Sequence, residues 1–327
     1  MDINTIDWRE AWAEYQHVRR AADKADYWNA RARSFSLKAG TSPYAHEFIE
    51  RAAIKEGESV LDMGCGSGTL AIPLALAGHE VYACDFSHAM LSILEEAAEA
   101  NGVADKIHTK LVSWTDDWDA LGVPVCDVAL ASRSMAAIDL WDAIEKLDSR
   151  ARRRVCVTMG TDQSPRIDEV LREAVGRPKP GLSEFVYTMN ILWVMGKLPE
   201  LSHIYSGRQD TFETIEDAVA KHAEVLEASA DETALLRAYA AEHMRQVETE
   251  DGLRWRFDHE RVTSWAFISW SKGDCYLGGG GRARGGSGLF GMAAPLLACE
   301  SSPGKGLRNA RPCRGSFRML VRSATRN

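Results

Sequence analysis

No apolar run in this 327-residue chain reaches the roughly 18 residues that a membrane span needs. Its start does not read as a secretory leader either, because Asp2 and a polar amphipathic stretch stand where an apolar segment would be. CxxC spacing is missing around Cys65, Cys84, Cys126 and Cys156, which fall singly in or beside expected core strands. They read as buried reduced thiols, so a cytoplasmic protein with no metal site is expected. Positive charge is scarce in the body of the chain. Residues 1–272 hold 30 Lys/Arg against 45 Asp/Glu, whereas residues 273–327 hold nine against two. So acidic a body matches a phosphate backbone poorly, which argues against a nucleic-acid partner. The apolar fraction, 45%, is ordinary, and the length suits one large or two small domains with a sizeable core.

The stretch that organises the chain is Ser59-Val60-Leu61-Asp62-Met63-Gly64-Cys65-Gly66-Ser67-Gly68-Thr69-Leu70. Its order predicts a buried parallel strand, a tight turn and the start of a helix. Glycines at 64, 66 and 68 give the turn unusual dihedrals and let a ligand lie against the backbone. The next helix would aim its unpaired N–H groups at that ligand. A dinucleotide fingerprint would need its third glycine at position 69, which is Thr, and a Walker-type loop would need a lysine that is absent. A second strand, Glu80–Asp85, ends in an acid 23 residues beyond Asp62, placed to accept hydrogen bonds from ribose hydroxyls.

The Asp-x-Gly-x-Gly-x-Gly run closely resembles motif I of the class I S-adenosylmethionine (SAM) methyltransferases. Asp85-Phe86-Ser87-His88-Ala89-Met90 resembles that family's following pattern. The resemblance covers roughly residues 25–272 and is strongest from 59 to 135. It implies a doubly wound, mostly parallel seven-stranded α/β sheet, Rossmann-like, in which a final antiparallel strand inserts beside the sixth. It also implies SAM as cofactor, with Asp62, Gly64, Cys65, Gly66 and Gly68 on its amino-acid end and ribose, and Asp85 on the ribose. Phe86 and Met90 would flank adenine. Ser113-Trp114 stands where many members have Asp-Ala at the adenine, a departure from the pattern. Ser132 closes the fourth strand, Cys126–Ala131, whose following loop should face the transferable methyl. That loop lacks the Asp/Asn-Pro-Pro-Tyr/Phe sequence of methyltransferases acting on base or glutamine nitrogens.

Arg133 has two readings, a guanidinium for an anionic group on the acceptor or a structural partner of a helix carboxylate. His203 is a candidate base, although a lone histidine is more often structural. Tyr187 lies on an expected helix whose aromatic face serves either as core or as the wall of an acceptor pocket. Near the start, Ile6, Trp8, Trp12 and Tyr15 form a stripe at helical spacing, and the resemblance makes Trp28, Arg31 and Phe35 candidates for a lid.

Four regions follow: residues 1–55, a helical lid; 56–160, the SAM-binding core; 161–272, a helical cap and the last strands; 273–327, a Gly/Arg-rich tail. Helices are expected over 92–101, 164–176, 214–227 and 231–247, and a short strand over 254–257. The tail holds 12 of the 26 glycines without helical or strand periodicity, and reads as a disordered or non-native extension. The function expected is methyl transfer from SAM to a small or medium metabolite by in-line displacement, with the acceptor an anionic small molecule. Its competitors are a non-catalytic SAM- or S-adenosylhomocysteine-binding protein and a protein or RNA methyltransferase. Oligomerisation through an apolar face of 214–247 is left open.

Overall fold

In a computed structural model, residues 6–19, 28–29, 42–135, 137–161, 166–178 and 181–273 are described. Arg31, Phe35 and the tail from 274 lie outside them. The chain begins with α1 (Trp8–Arg19) and α2 (Pro43–Ala52), then alternates β1 (Val60–Met63), α3 (Ala71–Leu76), β2 (Val81–Asp85), α4 (His88–Ala100), β3 (Ile107–Leu111), β4 (Cys126–Ser132), α5 (Leu140–Ser149) and β5 (Ala151–Gly160). There follow α6 (Glu169–Ala174), α7 (Glu184–Val194), β6 (Glu200–Arg208), α8 (Ile215–Leu226), α9 (Ala230–His243), a hairpin of β7 (Met244–Thr249) and β8 (Gly252–Phe257), and β9 (Arg261–Ser271).

Seven strands form one sheet in the order β3-β2-β1-β4-β5-β9-β6. The first five are mutually parallel, and β9 runs antiparallel to both β5 and β6 between which it sits. This is the expected class I methyltransferase topology. The buried strands β1, β4 and β5 are near-continuous apolar runs because helices cover both faces. One face packs Leu61, Met63, Ala129, Val155 and Val157 against α1, α5 and α7. The other packs Val60, Leu130, Cys156 and Phe267 against α2, α3 and α4. Among the described residues no helix is long and apolar enough to cross a membrane.

The aromatic stripe of α1 is a packing stripe. Trp12 is 1% exposed, donates its indole N–H to the Ala137 carbonyl at 2.9 Å, and lies 5.7 Å from the Tyr187 ring. Between β6 and β9 the chain builds an insertion with its own core, in which Phe212, Ala218, Val219, Leu226, Leu236 and Phe257 cluster with Leu171 and Val175. The insertion is less helical than its sequence suggests. The expected helix over 231–247 stops at His243, and 244–249 pairs with 252–257. Alternating Arg245-Gln246-Val247-Glu248-Thr249 and a turn at Glu250-Asp251, followed by Gly252 at φ +96°, supply the hairpin chemistry. Its helix is capped by Ser229 rather than Asp231, through a reciprocal capping box with Glu232. Helix α4 starts at His88, four residues before the expected Ser92, because the Ser87 hydroxyl caps it by accepting the Met90 N–H. Helix α6 spans only Glu169–Ala174 of the expected 164–176, opening on the Asp168 cap.

The basic run that opens β5 lies in an interior strand. There Arg152, Arg153 and Arg154 pair with Asp127, Glu58 and Glu200.

Trp12→Ala removes a fully enclosed indole from the seam between α1 and α7. A loss of about 3–5 kcal/mol is expected in denaturant unfolding, and a loss below about 1 kcal/mol would show that α1 is not part of the cooperative core.

Candidate functional site

In the parallel part of the sheet the loops that leave the carboxyl ends of β1, β2 and β4 meet. The turn after β1 is stitched to β2: the Gly64 and Cys65 N–H groups both donate to the Cys84 carbonyl, at 2.7 and 3.0 Å. The Gly66 N–H donates to Asp85 Oδ2 at 2.9 Å, and Asp85 Oδ1 accepts the Ser87 N–H at 2.8 Å. The Ser87 hydroxyl reaches on to Asn29 Oδ1 at 2.6 Å, so the segment carrying the lid candidate Trp28 is tied directly to the Asp85 loop.

The three glycines do different work. Gly64, at φ +75°, faces Ser134, into whose Cβ any side chain would collide. Gly68, at φ +92°, is pressed against Leu94 and Ile72. A side chain at Gly66, at φ +54°, would meet nothing within 4 Å, so this glycine presents bare backbone to open space. Gly64 and Gly68 serve packing, and Gly66 leaves room for a ligand.

Two carboxylates are buried here, Asp62 at 2% exposure and Asp85 at 5%. Burial, and secondarily the nearby Asp85 charge, pushes Asp62 up to about 7. Its Oδ2 is buried without a hydrogen-bond partner among the described residues. Asp85 is also raised by burial, offset by the N–H groups of Ser87, Gly66 and Phe86. Cys65, 5% exposed and pushed well above the usual thiol range by burial, is inert packing beside them. Met90 is buried in the first turn of α4 and Phe86 is half-buried beside Asp85.

At the end of β3, Ser113 closes its own turn: its N–H donates to Asp116 Oδ2 at 2.8 Å and its hydroxyl lies 3.0 Å from that of Thr115. Trp114 is a rivet. Its indole N–H donates to the Ser134 carbonyl at 2.8 Å, its carbonyl accepts Lys146 Nζ at 2.7 Å, and its ring lies 5.5 Å from that of Trp118. The Ser134 hydroxyl donates to the Met63 carbonyl at 2.6 Å, which presses the loop after β4 onto the glycine turn.

Beyond Ser132 the sheet carries an arrangement that motif reading did not reach. The Tyr44 hydroxyl, from α2, lies 2.9 Å from Ser132 Oγ and 2.7 Å from Thr158 Oγ1, at 4% exposure of the residue. Thr158 Oγ1 also accepts the Arg133 N–H at 3.0 Å. Arg133 is exposed and sits in the left-handed region at φ +57°, a conformation costing a non-glycine residue roughly 1–3 kcal/mol. Its guanidinium lies 4.4 Å over the Tyr44 ring and 5.9 Å from that of Trp265. Burial raises the Tyr44 phenol against the lowering influence of Arg133 and the two hydroxyls, so it stays protonated.

The three catalytic candidates are not brought together. Tyr187 is 8% exposed and enclosed by Trp8, Trp12 and Tyr15 on the α1–α7 face. His203 lies on β6, opposite Ala266 in register, with its ring 6.3 Å from Phe185 and 6.2 Å from Tyr205. Arg133 belongs with Tyr44 and Trp265 on the other face. The groups missed, Tyr44, Thr158, Ser134 and Trp265, carry no local signal. Only the β4–β5 register, which sets Ser132 opposite Thr158, exposes their meeting.

The glycine turn gives one pair of outcomes. Gly64→Ala should lower the melting temperature sharply, through strain plus collision with Ser134. Gly66→Ala should cost only about 1 kcal/mol of left-handed strain. Equal destabilisation of both would contradict this division. Asp62 gives another. Its raised pKa makes the folded state hold a proton that the unfolded state has lost between about pH 4 and 7. The contribution of Asp62 to stability should therefore rise as pH falls through that window. Asp62→Asn should be the more stable form at pH 8, with its advantage shrinking toward pH 4; a pH-independent difference in thermal unfolding would refute it.

Residues 60–147 match the model of a protein family described as "Methyltransferase domain". The chain is 40% identical over 163 residues to an uncharacterized protein of Haemophilus influenzae, an alignment covering 50% of this chain and 59% of that one. It is 38% identical over 116 residues to a ribosomal protein L11 methyltransferase of Methylococcus capsulatus, covering 35% of this chain and 37% of the relative. The chain thus spans less than two thirds of the length of these relatives. A putative methyltransferase of Bacillus halodurans superposes with TM-score 0.45 at 12% identity, covering 70% of this chain and 98% of that one.

Proposed function

We propose that this chain, whose residues 60–147 match a family described as a methyltransferase domain, is of the class I, SAM-dependent kind and transfers a methyl group from SAM to a small or medium metabolite. The observation that carries this reading is Asp62 Oδ2, a buried carboxylate oxygen with no protein partner at the end of β1. A lone buried acid at this place is favourable as an anion only when a cationic group arrives, and the amino-acid end of SAM carries an ammonium. The bare backbone at Gly66, between Asp62 and Asp85, supports the same ligand.

SAM supplies, when bound, an electrophilic methyl on a sulfonium. The chain's own part is positioning. Asp62 would receive the ammonium, and the remaining lone pairs of Asp85 the ribose hydroxyls. Phe86 and Met90, with Ser113 and Trp114 at the end of β3, would bound the adenine. Ser132 and the loop after it would face the methyl, held by Tyr44, Thr158 and the Ser134–Met63 bond. Alignment at near-attack distance and exclusion of water can carry an in-line displacement without a catalytic dyad, and no side chain is assigned here as a base. Trp28 and its neighbours would close over the cofactor, an idea supported by the Ser87–Asn29 bond.

A second reading, a protein acceptor, is favoured by the match to the L11 methyltransferase over 116 residues. Turnover on ribosomal protein with none on small acceptors would replace the first reading by the second. Turnover on neither would leave a SAM-binding protein.

Calorimetry with SAM, with NAD as control, tests the common premise. Micromolar SAM binding is expected, weakened at least about tenfold, or 1.4 kcal/mol, by Asp85→Ala. The affinity should also fall as pH drops below 7, because protonated Asp62 no longer offers a charge, and Asp62→Asn should flatten that fall. Folded protein that binds no SAM would overturn the reading.

A further inference from the structure

The arginines of the described residues mostly hold carboxylates, as Arg153 does Glu58, Arg172 does Glu169 and Arg177 does Glu232. Arg133 differs. Among the described residues its guanidinium has no ion pair and no hydrogen bond, and its stated contacts are the faces of Tyr44 and Trp265. The structural reading of Arg133, as the partner of a helix carboxylate, therefore has no carboxylate to rest on. The backbone beneath it is held in the left-handed region at φ +57° by the N–H bond to Thr158. Strain of this kind persists where surrounding contacts over-determine it, and it concentrates at ligand sites.

We propose that Arg133 is the anchor for the methyl acceptor, binding a carboxylate group of that acceptor at the carboxyl end of β4. The inference rests on the methyltransferase reading and adds the acceptor's chemical class. Three observations carry it. Arg133 is exposed, and its guanidinium, 4.4 Å over the Tyr44 ring, makes no hydrogen bond among the described residues, so its N–H groups remain for a planar, bidentate anion. Its supporting shell is built of hydroxyls and aromatic rings, from Tyr44, Ser132, Thr158 and Trp265, with no second cation described among them, so the anchor suits a single negative charge rather than a phosphate dianion. The position is right as well. Arg133 follows β4 and precedes Ser134, whose hydroxyl donates to the carbonyl of Met63, the residue next to Asp62. A carboxylate on Arg133 would thus lie alongside the cofactor end marked by Asp62. Tyr44 is a positioning residue in this scheme: its ring carries the guanidinium and its hydroxyl ties β4 to β5.

The test uses the full chain saturated with S-adenosylhomocysteine, whose binding is first measured by calorimetry for wild type and Arg133→Gly. Glycine accepts the left-handed backbone without strain, so this variant should fold and keep its S-adenosylhomocysteine affinity. Ligand-observed NMR is then run on matched pairs of aromatic and aliphatic carboxylic acids and their primary amides, with phosphate monoesters as a third set. In wild type the acids should bind at least about tenfold tighter than their amides, a preference of 1.4 kcal/mol. In Arg133→Gly the preference should collapse to within about twofold, and Arg133→Lys should restore only part of it. Acids that bind no better than amides, or no acid binding at all, would overturn the proposal. So would a preference that survives in Arg133→Gly, or phosphate esters outcompeting acids. Failure of wild type to bind S-adenosylhomocysteine would instead sink the methyltransferase reading itself, which separates the two failures.

Discussion

Two carboxylates buried side by side at the ends of β1 and β2 are the constraint on which the rest of the site depends. A fold selected for stability alone would not place Asp62 at 2% exposure with an unpartnered oxygen next to Asp85. Burial and mutual repulsion both oppose charging them, and hydrogen bonds to the Gly66, Phe86 and Ser87 N–H groups offset this only for Asp85. The asymmetry assigns different roles to two chemically identical groups. Asp85 accepts backbone N–H groups on both oxygens, serves as a joint between the glycine turn and α4, and keeps further lone pairs. Asp62 is left unsatisfied, so a cationic group would gain more there than beside an acid already paired.

The same economy governs the loops. Ser134 bonds the Met63 carbonyl and fills the space that a side chain at position 64 would need, so the turn after β1 and the loop after β4 fix each other's shape. Trp114 clamps that pair from the β3 side. Tyr44 joins α2 to the ends of β4 and β5 and carries the Arg133 guanidinium. The glycine turn and the loop that carries Arg133 are therefore not independent of one another. A change at Tyr44 alters the support of Arg133 and the environment of Ser132 together, and non-additive effects are the expectation for substitutions in this cluster.

What was legible in the sequence was what is local. The glycine spacing, the acid ending β2 and the near-continuous apolar strands each sit within a few residues of their meaning, so the β/α alternation could be read directly, whereas the antiparallel last strand followed only from the family resemblance. Ser113 and Trp114 were read by position alone, and the structure gives them turn-closing and clamping bonds that the positional argument could not contain. Tyr44 was read as part of a helix that merely delivers the chain, because its partners Ser132 and Thr158 are 88 and 114 residues away. Tyr187 offered a choice between core and pocket wall, and rings from α1 enclose it. The β7–β8 hairpin was missed because the helical pattern of α9 runs into it without a break, although Glu250-Asp251, followed by Gly252, marks its turn.

The insertion between β6 and β9 is built as a unit with its own core, apart from the glycine turn. Strand β6 is parallel to β5, since both are antiparallel to β9, so the insertion leaves the sheet at the same carboxyl edge from which the glycine turn and Arg133 project. It folds on its own small core, joined by Leu171 and Val175. His222 is enclosed between Phe212 and Phe257 and lowered to about 4 by burial, so it stays uncharged and that core behaves as apolar at neutral pH. At the base, Asp210 gathers Arg208, Lys221 and Arg261, and Asp168 Oδ2 meets His259 at 3.0 Å. The polar base fixes where the insertion starts and ends, and its separate core holds its shape. Residues on its outer loops can therefore change with little transmission to Asp62 or Asp85.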